Sequence, residues 1–471
     1  MAIKVGAAKA SIDPAPELYP IPNSFVDWGR TEPLLQQCPY DSMYVRTIVI
    51  DNGKTSVVLM SWETMGYPGP PTLLDELTAE FGIPAEHFLI CGTHNHSSAK
   101  DYHMGSFNGT PDEVEFHKKY WVIEIEAAKR SLREALDNMR PAKYGFGEIE
   151  SFVNVNRDLM TPYGYWVEGK NFAGYSDKTL AILKFVDLEG RLIAAFCNYP
   201  MHNTCLHMMV DFDGRAKTSG NVSGVACAYA EEHFGEGAVV AWSSGAAGNQ
   251  NPVFSHNLQY EYPDGYSASV PLPDGVGFML MEYCGRVHGA DIVKGLDAIT
   301  GYSENLPVVF VRNDIRIPAQ KRADGQGRGA PIRMGGNSLR SYDEIPFGRV
   351  PPLPELPEMV DDPEHPCELQ MKLLILGDVA LVCANAELYC EIGRDMKAAA
   401  PYRKTMVVTH ADDRYRSTGY IMDKATAAKG AKVFQFFGRV KPGGADDLIV
   451  ENELRMFDMA LAAGQGKGTE T

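Results

Sequence analysis

Short runs of apolar, β-branched residues alternate with helix-period segments along nearly all of this chain, without a fixed internal repeat. That alternation restricts the fold to layered α/β architectures, in which each sheet must bury its apolar faces against another layer. Met43 to Ile50 and Ser56 to Ser61 read as strands joined by Asp51-Asn52-Gly53-Lys54, a hairpin signal. Ala181 to Val186 and Leu192 to Cys197 form a second such pair around Asp187-Leu188-Glu189-Gly190. Helices are expected from Pro71 to Phe81, stopped by Gly82, from about Pro111 to Met139, and from about Val222 to Phe234. In the longest, Thr110 is the expected N-cap, and Trp121, Ile125, Ala128, Leu132, Ala135 and Met139 form a buried stripe. Further strands are expected at His87 to Cys91, Ala238 to Trp242, Pro307 to Ile317, Glu368 to Leu376, Val379 to Cys383 and Thr405 to Val408.

Charge narrows the partners. Acidic side chains number 61 against 44 basic ones, a formal net charge of −17. A surface of that sign argues against nucleic acid and against anionic membranes as main partners. No apolar stretch approaches the ~18 residues of a membrane-spanning helix. The start, MAIKVGAAKASIDPAP, lacks the apolar core of a signal peptide and reads as a strand. The nine cysteines are scattered in apolar contexts without CxxC spacing, as expected of reduced thiols in a cytoplasmic protein.

The stretch 318–366 stands apart, with nine of the thirty prolines, six basic residues and little periodicity. It reads as a lid or binding-loop insertion. Arg328, Arg333 and Arg340 within it are candidates to clamp an anionic substrate group, Arg333 foremost, against the plainer reading of a solvated loop face. No other composition break divides the chain. The expected organisation is one large mixed α/β domain over 1–462, its layered sheets flanked by helices, with a flexible tail at 463–471.

Three strand ends carry unusual polar clusters. The first is Thr93-His94-Asn95-His96-Ser97. Histidines at i and i+2 on an extended segment project to one side. They can share a metal, divide metal binding from proton transfer, or simply be hydrogen-bonded at a strand end. The second is His202 in Asn198-Tyr199-Pro200-Met201-His202, with His207 five residues on read as incidental. The third is the small-residue loop Ser243-Ser244-Gly245-Ala246-Ala247-Gly248-Asn249-Gln250-Asn251-Pro252. Its backbone N–H groups can cradle an oxyanion, or it is a plain tight turn. Glu387, in the apolar run LVCANAELYC, needs an arginine, a helix N-terminus or a metal as partner.

Taken in order, these residues resemble the neutral/alkaline (non-lysosomal) ceramidase family, zinc-dependent amidases with THTHSGP, NRSP and GDVSPN motifs. Here the first reads Thr93-His94-Asn95-His96-Ser97-Ser98, and the second reads Asn156-Arg157-Asp158, followed by Asp177-Lys178 and Leu183-Lys184-Phe185. The opening VGAAKASIDP is also similar, and the ordered match runs from residue 4 to about 460. The resemblance implies zinc bound by His94, His202, Glu387 and a tyrosine, with Tyr420 preferred over Tyr415. It implies His96 as the catalytic histidine and Arg157 as a substrate-orienting residue. Gly248, Asn249 and Asn251 stand in the loop that meets substrate.

One departure changes the expected chemistry. Asn251 stands where the family has its serine nucleophile, and Asn249 where it has aspartate. An amide is no nucleophile, so a metal-activated water takes that part. The expectation is a Zn²⁺-dependent hydrolase of amidase or esterase type on a small polar substrate rather than ceramide, with His96 as acid and base. A homo-oligomer is left open. The rival is a zinc-dependent lyase or isomerase abstracting a proton beside a carbonyl. A degenerate ligand-binding relative is the remaining alternative.

Overall fold

A computed structural model describes residues 3–22, 35–99, 111–160, 166–207, 209–235, 237–254, 257–261, 267–325, 356–411 and 417–465. Eight strands form the larger sheet. Their order is Val239–Ser244, Leu192–Tyr199, Thr179–Asp187, Arg140–Glu150, Ile3–Ser11, Tyr44–Asp51, Ser56–Trp62 and Phe88–Gly92. Neighbours run antiparallel except the outermost pair at each edge, which is parallel. Both expected hairpins are present, Tyr44–Asp51 with Ser56–Trp62 and Thr179–Asp187 with Leu192–Tyr199. A second sheet orders Val308–Arg312, Met371–Leu376, Val379–Ala384 and Lys404–Thr409, and its last pair is also parallel.

Period-2 alternation assigns each sheet face its layer. Ile48, Ile50 and Leu59 meet Leu374, Leu381 and Val408 of the second sheet in one core. Their neighbours Val45, Val49, Val58 and Met60 point the other way, onto Leu73, Leu77, Ala128 and Leu132. Those residues belong to the helices Leu73–Phe81 and Pro111–Asp137. The other half of that face carries Asn221–Phe234 and Val276–Ala298 through Ala195, Cys197 and Val240. The outer face of the second sheet is covered by Cys390–Ala399 and Asp446–Gln465 through Ala380, Val382 and Val407. Helix, sheet, sheet and helix thus form four layers, the mixed α/β architecture with layered sheets flanked by helices.

Gly82 ends the first helix in the left-handed region, at φ +67°. At Gly6 a Cβ would lie 2.0 Å from the Ala135 carbonyl oxygen, so its absence lets the long helix seat on the sheet. The ends of the proline-rich stretch are pinned, because Gln320–Arg322 pairs antiparallel with Met359–Asp361. Arg328, Arg333 and Arg340 lie outside the described residues, as do Thr110 and Tyr415. The last helix continues through Gln465, past the expected end of the folded unit at 462. Among the described residues no helix is long and apolar enough to cross a membrane.

Candidate metal centre

The three parallel strand pairs within these two sheets deliver their C-terminal ends to one place. His94 and His96 follow Phe88–Gly92, His202 follows Leu192–Tyr199, Glu387 follows Val379–Ala384, and His410 follows Lys404–Thr409. Backbone hydrogen bonds fasten these ends together. His96 N donates to Asn203 O (3.0 Å), Asn203 N to His94 O (3.3 Å) and Gly92 N to His410 O (3.1 Å). Glu387 pairs in register with Tyr420, which brings that tyrosine beside the carboxylate.

The tautomers follow from carbonyl partners, which can only accept. His94 Nδ1 lies 2.8 Å from Met65 O, and His202 Nδ1 lies 3.1 Å from Gln250 O. Each ring therefore donates through Nδ1 and keeps a lone pair on Nε2. Both Nε2 atoms face Glu387 Oε2, at 3.4 Å from His94 and 3.2 Å from His202. Tyr420 OH is 3.3 Å from His202 Nε2. Tetrahedral zinc with bonds of about 2.05 Å places neighbouring donors about 3.3 Å apart. Two nitrogen lone pairs, a carboxylate and a phenol at this spacing fit such an ion.

Electrostatics agree with that donor set. Burial raises the Glu387 carboxyl, but facing His94 and His202 outweighs it and holds the group well below its usual range. Burial, with Arg157 and His94 nearby, lowers His202 to about 3. Burial and the adjacent imidazoles also hold His96 and His410 well below the ordinary histidine value. His96, His202 and His410 are thus held toward the neutral form and Glu387 toward the ionised one. Tyr420 is pushed well above its ordinary value by burial and by Glu387.

His410 and His207 join this cluster, although the sequence reading left out the first and set the second aside. The His410 ring stacks on His94 with centroids 4.0 Å apart. Both residues have left-handed backbones, φ +58° at His94 and +53° at His410, which non-glycine residues adopt at a cost. The signal for His410 was present, since Val407-Val408-Thr409-His410 repeats the pattern of an apolar strand running into Thr-His. Two donor sets, His94 with His96 and His202, and His94 with Glu387 and His410, each keep their ligand atoms within 4.8 Å.

The remaining candidates lie beneath this cluster. Arg157 is fully buried, and its Nη2 donates to Gly248 O (2.7 Å). Its Nη1 reaches Asn251 Oδ1 (3.2 Å) and Glu168 (3.4 Å), and its guanidinium covers the Tyr420 ring with centroid at 5.3 Å. Asn251 Nδ2 donates to Glu168 Oε1 at 2.9 Å. Asn249 turns toward the helix Cys390–Ala399, accepting from Cys390 N (3.0 Å) and donating to Glu391 (2.8 Å). Gly248 is held by close approach, since a Cβ there would lie 2.5 Å from the Glu387 carbonyl oxygen.

Fold and site define a mixed α/β protein whose strand ends converge on a buried histidine and glutamate centre suited to a metal ion. No family model matches the chain. It is 27% identical to the neutral ceramidase of Pseudomonas aeruginosa over 124 residues, 25% of this chain and 18% of that one. It is 24% identical to the neutral ceramidase of Drosophila pseudoobscura pseudoobscura over 240 residues, 49% of this chain and 32% of that one. These matches span less than two thirds of either relative's length. The solved neutral ceramidase from Pseudomonas aeruginosa superposes with a TM-score of 0.68 at 20% identity, covering 100% of this chain and 76% of that one. A ceramidase complexed with C2 gives 0.70 at 19% identity, with the same coverage. The chain is a divergent ceramidase-like protein.

Proposed function

We propose that this protein is a zinc-dependent hydrolase, of amidase or esterase type, acting on a small polar substrate. The observation that carries the reading is the convergence of the His94 and His202 Nε2 lone pairs on Glu387 Oε2, with Tyr420 beside them. His94, His202, Glu387 and Tyr420 would hold the ion. A bound Zn²⁺ supplies Lewis acidity toward a carbonyl and lowers the pKa of a water toward ~7.

The chain's own residues supply the rest. His96, buried and neutral, stands beside the ligands and moves the proton. Arg157 positions Tyr420, Gly248 and Asn251, which fixes the floor of the site. Asn251 gives a substrate oxygen an amide to bond in place of a nucleophile. The nine cysteines form no disulfide with one another, which favours a reducing, cytoplasmic setting. The net charge of −17 disfavours nucleic acid and anionic membranes as partners.

Metal analysis of purified protein, followed by a screen of amides and esters, tests this reading. The expected result is one bound zinc and a turnover that H94A abolishes. Full activity without metal would refute it. The asparagine at 251 favours one second reading, a lyase or isomerase on the same centre. Hydrolysis in labelled water puts solvent oxygen into the product, whereas a lyase yields an unsaturated product and an isomerase one of unchanged mass.

A further inference from the structure

We propose that Asn203 is a positioning residue that holds the backbone of His94 in its left-handed conformation and so keeps the two histidine ligands at their working separation. The inference rests on the zinc reading above and deepens it. Asn203 directly follows His202 and is fully buried. Its Nδ2 donates to Thr93 O at 2.5 Å, and its backbone N donates to His94 O at 3.3 Å. Those two carbonyls belong to the peptide planes on either side of His94. The relative orientation of these planes is what φ and ψ describe, so one residue grips both ends of the strained backbone at φ +58°. Its own carbonyl accepts from His96 N at 3.0 Å, which fastens the chain two residues further on. The His94 and His202 rings then stand edge to face with centroids 4.3 Å apart.

Asparagine suits this place because its amide both donates and accepts. The backbone partners fix which way it faces, since a carbonyl only accepts and an N–H only donates. While Nδ2 holds Thr93 O, Oδ1 accepts from Ser223 N at 3.0 Å. That N–H lies in the first turn of the helix Asn221–Phe234, where the helix itself supplies no acceptor, and Gly220 at the N-cap brings no side chain. Asn221 adds a second tie, its Nδ2 donating to Asn203 O at 2.9 Å. The grip on His94 is thus anchored to a helix packed on the large sheet. A left-handed histidine persists only where its surroundings over-determine it. Without the bond to Thr93 the cost of that conformation works against it, and the His94 ring loses its fixed place opposite His202. A metal ion would then have to assemble the site as it binds, at the expense of affinity. Removing a partner that orients a ligand typically lowers metal affinity or activity 10- to 100-fold.

The test uses Co²⁺ bound to the full chain in place of zinc, read by its visible absorption and by titration, with melts in chelator reporting on the fold. N203A removes both side-chain bonds. D41A is the structural control, because Asp41 accepts from Gly220 N (2.7 Å) and Ser219 Oγ (3.0 Å) at the same helix start, and neither bond involves Thr93 or His94. The expected result is Co²⁺ binding weakened about tenfold or more in N203A, with a changed spectrum. D41A should bind within about threefold of wild type with an unchanged spectrum, although both variants melt earlier in chelator. If N203A does not fold, N203D is read in its place, since a carboxylate still accepts from Ser223 N but cannot donate to Thr93 O. Wild-type spectrum and affinity in the Asn203 variant would overturn the inference while leaving the zinc reading intact. Equal loss in that variant and in D41A would also overturn it, since a loosened helix start would then be cause enough. Wild-type protein that binds no Co²⁺ would remove the zinc reading itself, and this inference with it.

Discussion

His202 Nε2 stands 3.2 Å from Glu387 Oε2, yet neither atom has a proton to place between them. The His202 proton is committed to Gln250 O, which leaves Nε2 a lone pair, and the facing carboxylate oxygen is an acceptor too. Two lone pairs at that distance repel unless a cation lies between them.

E387Q therefore has opposite effects with and without metal. The amide can donate to His202 Nε2, so metal-free E387Q should be more stable than metal-free wild type by roughly 1 kcal/mol. It should also lose the stabilisation that zinc gives the wild type through mass action. Thermal melts with chelator and with added zinc check both. A zinc-dependent rise in E387Q equal to that of wild type would contradict the ligand role of Glu387.

Arg157 is braced on all sides by Gly248 O, Asn251, Glu168 and the rings of Tyr420 and Phe434. R157M leaves the partner carboxylate and carbonyl without their cation, at a cost of roughly 3–5 kcal/mol. R157K should recover only part of that, because a single ammonium nitrogen cannot span the separate acceptors that Nη1 and Nη2 reach. Denaturant midpoints rank the three proteins, and an R157K as stable as wild type would refute the bracing role.

Much of this was legible in the sequence where local rules decide. The two hairpins, the helix stopped at Gly82 and the polar strand ends follow from alternation, turn residues and a left-handed glycine. The helix Val276–Ala298 was not legible, because glycines at 277, 285, 289 and 295 lower its propensity. Those glycines serve tertiary packing instead. A Cβ at Gly285 would lie 2.5 Å from the Val225 side chain, so that helix sits directly on Asn221–Phe234. His207 escaped for a related reason, since only the turn at Thr204 brings it over His96. Arg157 could be found by motif, but that its guanidinium is occupied by protein groups depends on contacts remote in sequence.

His288 governs an acid arm of stability away from the metal centre. It is fully buried, with Nδ1 2.9 Å from Ser151 Oγ and Nε2 accepting from Trp242 Nε1 at 3.1 Å. Burial lowers its pKa to about 3, and a proton on Nε2 would face the indole N–H. The unfolded chain protonates near 6.5, so stability falls as pH drops from there toward 3. H288Q should lose this dependence, flattening the wild-type slope by up to about 1.4 kcal/mol per pH unit. Urea titrations at pH 7 and pH 5 measure the difference, and parallel slopes would count against it.

Glu453 sets the opposite arm. It sits at zero exposure on the helix Asp446–Gln465, in a stretch whose Ile449, Met456 and Phe457 pack into the second sheet's outer core. Among the described residues neither carboxyl oxygen has a hydrogen-bond partner. Burial raises its pKa to about 8, so the folded protein keeps it protonated at neutral pH. The unfolded carboxyl ionises near 4.3, and the folded state alone retains the proton between the two values. Stability contributed by the neutral group is therefore full below that lower value and is lost as pH rises through 8. E453Q keeps the shape without the charge, so it should match wild type near pH 5 and exceed it increasingly up to pH 9. Denaturation at those two values decides the matter, since a wild type that keeps pace with E453Q at pH 9 would mean that Glu453 ionises without cost.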